Sequence, residues 1–304
     1  MFRRGLLART VRGNSIGLRF SSSYRLHSVG RPGSSEYRAY LCDGEKPASF
    51  FHDVPLRPAE EKDDVFNMVV EIPRWTNAKL EISKEIAYNP IVQDTKKNKP
   101  RFVSNVFPFL GYMHNYGALP QTWEDPTEKC PFTGNLGDND PIDVCEIGQS
   151  VLQTGQIKQV KVVGVLALLD EGETDWKVLA IDTADPLSNE INDIDDVQTA
   201  MPGLLEQTRN WFRNYKIPDG KPANEFAFNG EFKNKQFALD VIKHTARSWN
   251  KLINNGHSGI SCLNTTLQDS PHFKKPSPED LPNPDSASEP NLDLAQLQKW
   301  HYVK

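Results

Sequence analysis

The order of the predicted elements indicates an α+β fold with a mainly β core, built on an antiparallel sheet or a small barrel. Five strand-like segments lie between residues 65 and 181, and two segments with helical spacing follow between residues 202 and 252. Strands followed by helices, without regular alternation, are typical of α+β domains. Residues 107–143 are rich in Gly, Pro, Asn and Asp, which predicts long loops, and such loops inside a domain are usually functional.

The strand predictions depend on runs or alternation of β-branched and other apolar residues. The candidates are residues 65–72, 79–84, 100–106, 160–169 and 176–181, of which 100–106 is the weakest. An acidic loop, residues 170–175 (DEGETD), is expected to join the last two strands. Residues 36–64 are polar with scattered prolines and are predicted to wrap the edge of the domain.

Two amphipathic helices are predicted after the strands. Pro202 suits a first helical position, and apolar side chains follow on one face as far as Tyr215, with Pro218 and Gly220 ending the helix. The second helix is expected over roughly residues 234–252. The aromatic side chains of both helices are interpreted most simply as core residues.

The two ends of the chain differ in composition from its body. Residues 1–35 contain seven Arg and no Asp or Glu, and the arginines interrupt every apolar stretch that could form a secretory signal. This composition is typical of a mitochondrial transit peptide, predicted over about residues 1–30, although a basic tail for RNA or membrane contact is the alternative. A folded domain is expected over residues 31–269. The proline-rich residues 270–304 are predicted to form a loosely attached tail, with Trp300 as a candidate anchor.

Composition and charge disfavour several functions. Of the 35 basic residues, the 28 that lie beyond residue 35 stand against 40 acidic residues, which gives the body a formal net charge of −12. Such a body is a poor nucleic-acid partner, because phosphate neutralisation needs a basic face. No apolar run is long enough to cross a bilayer. The four cysteines show neither a CxxC pattern nor the spacing of a zinc site. We therefore expect neither a nucleic-acid partner nor membrane insertion.

Residues 137–143 (GDNDPID), named here the acidic run, place three carboxylates within six residues. At about 4 Å and an effective dielectric near 20, each like-charged pair would cost on the order of 4 kcal/mol. The run contains no Lys or Arg, so a hard divalent cation is the natural partner, and carboxylate oxygens suit Mg²⁺, Mn²⁺ or Ca²⁺. An EF-hand loop counted from Asp138 is excluded, because Asp143 and Gln149 occupy the positions of Gly and Glu. A solvated acidic turn stays open as an alternative.

Basic residues are interleaved with further acidic residues. Lys79 stands two residues before Glu81, and Lys177 two residues after Asp175, so each pair would share one face of a strand. Ordinary ion pairs would produce the same pattern and stabilise little. A site for metal ions and a polyanion would also require it, with carboxylates for the metals and Lys or Arg for the anion.

The segment GDNDPIDVCEIG, residues 137–148, resembles the D-x-D-P-x-D-V signature of the soluble family I inorganic pyrophosphatases. Further segments resemble the same family in order and at its spacing, over about residues 45–255. These are residues 69–84 (VVEIPRWTNAKLEISK), 111–120 (GYMHNYGALP), 122–125 (TWED), 168–182 (LLDEGETDWKVLAID) and 211–221 (WFRNYKIPDGK). With its transit-like start, the chain resembles the mitochondrial form of a eukaryote, located in the matrix.

The resemblance implies a five-stranded, OB-like β-barrel with flanking helices and long loops, and a pyrophosphatase catalytic domain over residues 31–269. It implies Mg²⁺-dependent hydrolysis of inorganic diphosphate to two orthophosphates by a metal-activated water, with several Mg²⁺ ions per active site. In mitochondria this hydrolysis would drive diphosphate-releasing reactions forward. At matching positions, the metal ligands would be Asp138, Asp143, Asp175, Asp170, Glu81 and Glu71. Asp140 would be the general base, and the phosphates would be held by Arg101, Lys79, Tyr116, Lys177, Tyr215 and Lys216, of which the first three also count as catalytic.

The family's eukaryotic members are homodimers, and the resemblance places Arg74 and Trp75 at the subunit contact. From composition alone, Trp75 could equally be a buried core residue. Two alternatives belong to other functional classes. An OB-like module that binds nucleic acid without chemistry is disfavoured by the acidic balance of the chain. A related hydrolase of nucleoside triphosphates or polyphosphate is disfavoured because the sequence shows no Walker A lysine loop.

Overall fold

The computed structural model describes residues 24–59, 62–283 and 292–303, so most of the predicted transit peptide lies outside the described residues. The strands are β1 (Tyr24–Val29), β2 (Arg38–Asp43), β3 (Lys46–Ala48), β4 (Val65–Ile72), β5 (Leu80–Ile82), β6 (Ile91–Gln93), β7 (Thr95–Lys96), β8 (Lys99–Pro100), β9 (Asn105–Val106), β10 (Asn115–Ala118), β11 (Asp143–Glu146), β12 (Ile157–Asp170), β13 (Glu173–Asp182), β14 (Glu225–Phe226), β15 (Lys233–Asn234) and β16 (Trp300–His301). The α-helices are α1 (Ile194–Ala200), α2 (Leu204–Asn214), α3 (Lys235–Asn255) and α4 (Leu294–Leu297), and 3₁₀ turns lie at Pro186–Asn189, Ile217–Asp219, Ala227–Gly230 and Pro278–Asp280.

Five strands close into a ring, which confirms the predicted barrel. Around the ring the order is β4, β12, β13, β11, β10 and back to β4. Only the β11–β13 pair in this ring is parallel. The register of β12 against β13 shifts between Val162 and Gly164, and a bulge of this kind bends a strand so that one sheet can curve into a barrel.

The apolar runs of the sequence form a core on both faces of β4, whose eight residues are all buried. Met68 and Val70 pack in one cluster with Val241 and Ile242 of α3, whereas Val69 packs in another cluster with residues of α2. Helix cover on both faces explains why β4 reads as a nearly continuous apolar run. Each large side chain buried in this way stabilises the fold by roughly 1.5–3 kcal/mol.

A second sheet, in the order β1–β2–β6–β5 with β3 beside β2, adjoins the barrel. The prediction that residues 36–64 wrap the edge of the domain is wrong. Part of this segment forms β2 and β3 of the second sheet, and Phe50 and Phe51 are fully buried. The polar composition was misleading, since these polar groups are satisfied internally. Ser49 Oγ donates to Asn89 Oδ1 at 2.6 Å, and Asp53 accepts hydrogen bonds from residues 265 and 266.

Several predicted boundaries also change. α2 begins at Leu204, and its N-cap is Gly203 at φ 87°, so Pro202 precedes the helix instead of starting it. The predicted acidic loop is a tight hairpin: Asp170 pairs with Glu173, and the two turn residues between them have positive φ. The strand predicted over residues 100–106 is mostly absent, because only Pro100, at the end of β8, and the two residues of β9 are in strands. The second predicted helix is confirmed as α3 and extends to Asn255.

The last described residues pack against the barrel domain. β16 pairs in parallel with β9, and the Phe107 ring centroid lies 5.9 Å from that of Trp300 and 5.5 Å from that of Tyr302. Trp300, the candidate anchor, therefore contacts the domain. Among the described residues, no helix has both the length and the apolar character required to span a membrane.

Candidate active site

A cavity of about 140 Å³ is lined by residues from all five barrel strands, from β5 and from α2. It contains every site residue predicted from the sequence. These are Glu71, Lys79, Glu81, Arg101, Tyr116, Asp138, Asp140, Asp143, Asp170, Asp175, Lys177, Tyr215 and Lys216. The structure thus brings together segments that are up to 145 positions apart along the chain, and the individual roles of these residues stay predictions.

Strand register places the charged side chains beside one another. Asp143, the first residue of β11, pairs with Lys177 of β13. Asp170 ends β12, and the tight hairpin that follows brings β13 back so that Asp175 lies opposite Leu168. Since residues two apart in a strand share a face, Asp175 and Lys177 point to the same side. The predicted pairing of these two residues on one face is confirmed by their direct hydrogen bond.

Lys177 is the central cation of the cavity and is almost fully buried. Its Nζ donates to the Tyr116 hydroxyl at 2.9 Å, to Asp143 Oδ2 at 2.5 Å and to Asp175 Oδ1. Burial alone would lower the pKa of Lys177, but the two carboxylates raise it well above its usual value. Lys177 is therefore charged and neutralises part of the acidic cluster.

Other lysines also contact the acidic residues, and Lys84 and Lys216 do so from distant parts of the sequence. Lys84 Nζ lies 2.5 Å from Asp140 Oδ1, Lys79 bonds to Glu81, and Lys216 bonds to Asp170. The sequence argument that a divalent cation is the natural partner of the acidic run was therefore incomplete, because it considered only Lys and Arg within the run. Lys84 stands in a segment that resembles the family, but it was missed as a site residue, because its contact with Asp140 is set by tertiary structure.

Three other carboxylates, Glu71, Glu124 and Asp138, lack such a partner within the described residues. Oxygens of Glu124, Asp138 and Asp175 lie within 4.8 Å of one another, and Glu124 was not predicted as a site residue. Within the described residues, neither Glu124, Asp138 nor Glu71 has a Lys or Arg nitrogen within 4.0 Å of its carboxylate. Burial, and then the charges of nearby aspartates, raise the pKa of all three well above the usual range. A buried, oxygen-only donor set with excess negative charge fits a hard divalent cation.

The other wall of the cavity is basic. Asp94, a further residue missed from the sequence, lies 3.0 Å from Lys79 Nζ and 3.1 Å from Arg101 Nη1. It therefore holds both cations in position. The Tyr215 ring stacks on Trp211 at a centroid distance of 4.9 Å. Burial raises the pKa of Tyr116 and of Tyr215, so both hydroxyls are neutral hydrogen-bond donors at pH 7.

The seven carboxylates, four cationic side chains and tyrosines that line this barrel cavity could hold a divalent cation and a polyanion, which is the equipment of a hydrolase of phosphate anhydrides. The comparisons with known proteins agree with this class. The family model described as inorganic pyrophosphatase matches residues 68–250. The chain belongs to the inorganic pyrophosphatase family, and it is an inorganic diphosphatase, which confirms the resemblance to the soluble family I enzymes.

Individual relatives match over nearly their whole length. The inorganic pyrophosphatase of Yarrowia lipolytica is 54% identical over 285 residues, covering 93% of this chain and 98% of the relative. That of Kluyveromyces lactis is 55% identical over 284 residues, covering 92% and 98%. The solved inorganic pyrophosphatase of Schistosoma japonicum has a TM-score of 0.87 and 47% identity, covering 92% of this chain and 100% of that one. A truncated vacuolar soluble pyrophosphatase of Trypanosoma cruzi, solved in complex with PPi, has a TM-score of 0.70 and 38% identity, covering 83% and 99%.

Proposed function

We propose that this diphosphatase uses Mg²⁺, acts in the mitochondrial matrix and works as a homodimer. The observation that carries the Mg²⁺ proposal is the cavity itself, in which seven carboxylates come together beside a wall of Lys and Arg and two of them, Glu71 and Asp138, have no cationic partner among the described residues. Asp138, Asp143 and Asp175 would hold the tightest metal, and Glu81, Asp170 and Glu71 would serve metals that arrive with the substrate. A bound divalent cation would lower the pKa of a water that it holds and offset the charge of the diphosphate.

Asp140 is suited to accept the proton of the attacking water. Its side chain is 45% exposed, so it reaches solvent at the cavity, and Lys84 holds its Oδ1 in place. A carboxylate held at the solvent side of the cavity in this way can accept a proton from a water. Asp143 differs from Asp140, because its side chain is only 17% exposed and is bonded to the buried Lys177.

The basic wall would hold the two phosphate groups. Arg101 can donate two parallel hydrogen bonds to one phosphate, which Lys cannot do. Lys79, Lys177 and Lys216 would contribute charge, and Tyr116 and Tyr215 would donate hydrogen bonds without adding charge. The PPi complex of the Trypanosoma cruzi relative supports diphosphate as the ligand.

The test is phosphate release from diphosphate by the purified chain, with and without Mg²⁺ and with ATP as the competing substrate. We expect rapid release from diphosphate with Mg²⁺ and almost none after chelation. Equal or faster release from ATP would favour the alternative nucleotide hydrolase. Activity that survives complete chelation would contradict the Mg²⁺ proposal.

The proposed matrix location depends on the Arg-rich start of the sequence. Tyr24–Val29 forms β1, which pairs with β2 over its whole length. Cleavage near residue 30 would remove this strand, so we place the cleavage before Tyr24. Fusion of residues 1–35 to a fluorescent protein should give a mitochondrial signal, and a diffuse cytosolic signal would contradict the proposal.

The proposed dimer uses an exposed apolar surface, named here the aromatic face, formed by Trp75, Phe107, Leu110, Trp300 and Tyr302. The exposed fractions of Trp75, Phe107 and Tyr302 are 56%, 58% and 75%. The Arg74 guanidinium lies 5.6 Å from the centre of the Trp75 ring. Large exposed aromatic side chains of this kind are enriched at protein interfaces, and a second copy of the chain is the partner that we propose.

A further inference from the structure

Glu124 is a buried acidic residue that the sequence analysis did not assign to the site. Its backbone lies against the acidic run. Glu124 N–H donates to the Asp140 carbonyl at 2.9 Å, and Asn139 N–H donates to the Glu124 carbonyl at 2.9 Å. A Cβ atom on Gly137 would lie 2.3 Å from the Glu124 carbonyl carbon, so glycine is required for this close approach. The position of Glu124 relative to Asp138 and Asp140 is therefore fixed by the fold.

The side chain of Glu124 is bonded at one oxygen only. Oε1 accepts a hydrogen bond from the backbone N–H of Trp176 at 3.0 Å. Trp176 is the residue that follows Asp175 in β13. Oε2 is buried and has no hydrogen-bond partner among the described residues, and the residue is 3% exposed. Buried polar atoms are nearly always paired, so a buried carboxylate oxygen without a partner requires an explanation.

The neighbours of Glu124 provide the explanation. One of its oxygens lies within 4.8 Å of oxygens of both Asp138 and Asp175. Three carboxylates at this separation repel one another, and no lysine reaches Glu124 or Asp138 within the described part of the chain. We propose that Glu124 is a further residue of the metal site, adding its charge to the binding of the cation that Asp138 and Asp175 hold. This inference rests on the proposed metal dependence.

A purely structural role is the competing explanation, in which Glu124 only links the acidic run to β13 through Trp176. The Glu124→Gln variant separates the two. It keeps an acceptor oxygen for Trp176 N–H but removes the charge and one acceptor. A metal-site residue should therefore lose Mg²⁺ affinity without a lower melting temperature in chelator. A structural link should leave the affinity unchanged.

The experiment is calorimetric titration of the full chain with Mg²⁺, together with melting curves in EDTA. We expect Glu124→Gln to weaken Mg²⁺ binding by roughly 10- to 100-fold, the range found when residues that support metal ligands are removed. The matched control is Glu146→Gln, because Glu146 is also a buried glutamate that accepts backbone N–H bonds, from Gly148 and Asp182. It should melt earlier and bind Mg²⁺ like the wild type.

Unchanged Mg²⁺ affinity in Glu124→Gln would overturn the inference. If Glu124→Gln does not fold, Glu124→Asp takes its place, because it keeps the charge but moves the carboxylate away from the site. Glu124→Asp should also weaken Mg²⁺ binding. Wild-type Mg²⁺ affinity in Glu124→Asp would overturn the inference. Failure of the proposed metal dependence would look different from failure of this inference, because the wild-type chain itself would then show no saturable Mg²⁺ binding.

Discussion

Asp140 and Lys84 form an ion pair at the solvent side of the cavity, and this pair separates Asp140 from the carboxylates that lie deeper. We predict that Asp140→Asn keeps the fold and Mg²⁺ binding but lowers kcat by about 10²- to 10⁴-fold, because a neutral amide cannot accept a proton from water. Steady-state phosphate release gives kcat, and calorimetry gives the Mg²⁺ affinity. Near-normal turnover would remove Asp140 as the general base.

Arg101 is held by Asp94 at 3.1 Å and lies 3.9 Å from Asp219. We predict that Arg101→Lys lowers kcat/KM even though the charge is conserved, because a lysine cannot donate two parallel hydrogen bonds to one phosphate. The control is Arg247→Lys at an exposed position of α3, which should leave kcat/KM unchanged. Equal kcat/KM in wild type and Arg101→Lys would contradict the bidentate contact.

At the level of residues, the family resemblance of the sequence predicted thirteen of the residues that line the cavity. It did not predict Glu124, Lys84 or Asp94. The contact of Asp94 with Lys79 depends on the short β5–β6 pairing, and three-residue strands carry little local signal. These residues were missed because their neighbours come from other strands, and tertiary contacts of this kind leave no local pattern.

At the level of elements, His114 links the loop before β10 to α2, because its Nε2 lies 2.8 Å from Thr208 Oγ1. Burial, and then the charge of Arg74, lower the pKa of His114 to about 3 in the folded protein. A histidine with a depressed pKa contributes stability that is present above its unfolded value near 6.5. That stability is lost as the pH falls towards 3, because the unfolded chain binds the proton first.

We therefore predict that acid destabilises the wild type more than a variant without this group. Between pH 7 and pH 5, the free energy of unfolding of the wild type should fall by about 2 kcal/mol more than that of His114→Gln. Gln retains a partner for Thr208 but does not titrate in this range. Urea unfolding at both pH values measures the difference, and parallel pH dependence of the two proteins would refute the assignment.

Helices and strands with a strong local sequence pattern were predicted correctly, and those with a weak pattern were not. Residues 65–72 coincide with β4, and the second predicted helix coincides with most of α3, because long periodic segments dominate their own conformation. The two-residue turn at Glu171–Gly172 was read as a six-residue loop. Its acidic flanks looked like solvent-exposed loop residues, although Asp175 and Lys177 are paired inside the barrel sheet.

At the level of the whole molecule, local patterns indicated only a sheet or a small barrel, and the five-stranded OB-like form came from the family resemblance. Closure of the ring depends on the parallel β11–β13 pair and on the bulge in β12, both of which are long-range features. Once closed, the ring brings carboxylates together, so a metal that binds them in the folded state would also stabilise the fold.

Metal removal should therefore lower the stability of the whole molecule as well as its activity. We predict that EDTA lowers the melting temperature, and that Mg²⁺ at about 100 times its dissociation constant restores roughly 2.7 kcal/mol of stability by mass action. Calorimetric scans with and without Mg²⁺ measure this shift. Identical melting curves in EDTA and Mg²⁺ would exclude a metal site in the folded protein.

The aromatic face leads to the prediction on assembly. β16 brings Trp300 and Tyr302 beside Phe107, and the chain mass of 34.3 kDa gives a dimer of about twice that value. Light scattering after size exclusion should show this dimer for the wild type and a monomer for Phe107→Glu, because a charge at the centre of an apolar interface is buried without a partner.

The control for the dimer experiment is Leu26→Glu. Leu26 is a 40% exposed apolar residue on β1, outside the aromatic face, so the variant should stay dimeric. A melting curve of each variant separates loss of the dimer from loss of the fold. A wild-type mass of one chain, or a folded Phe107→Glu that stays dimeric, would show that the aromatic face is not the subunit contact.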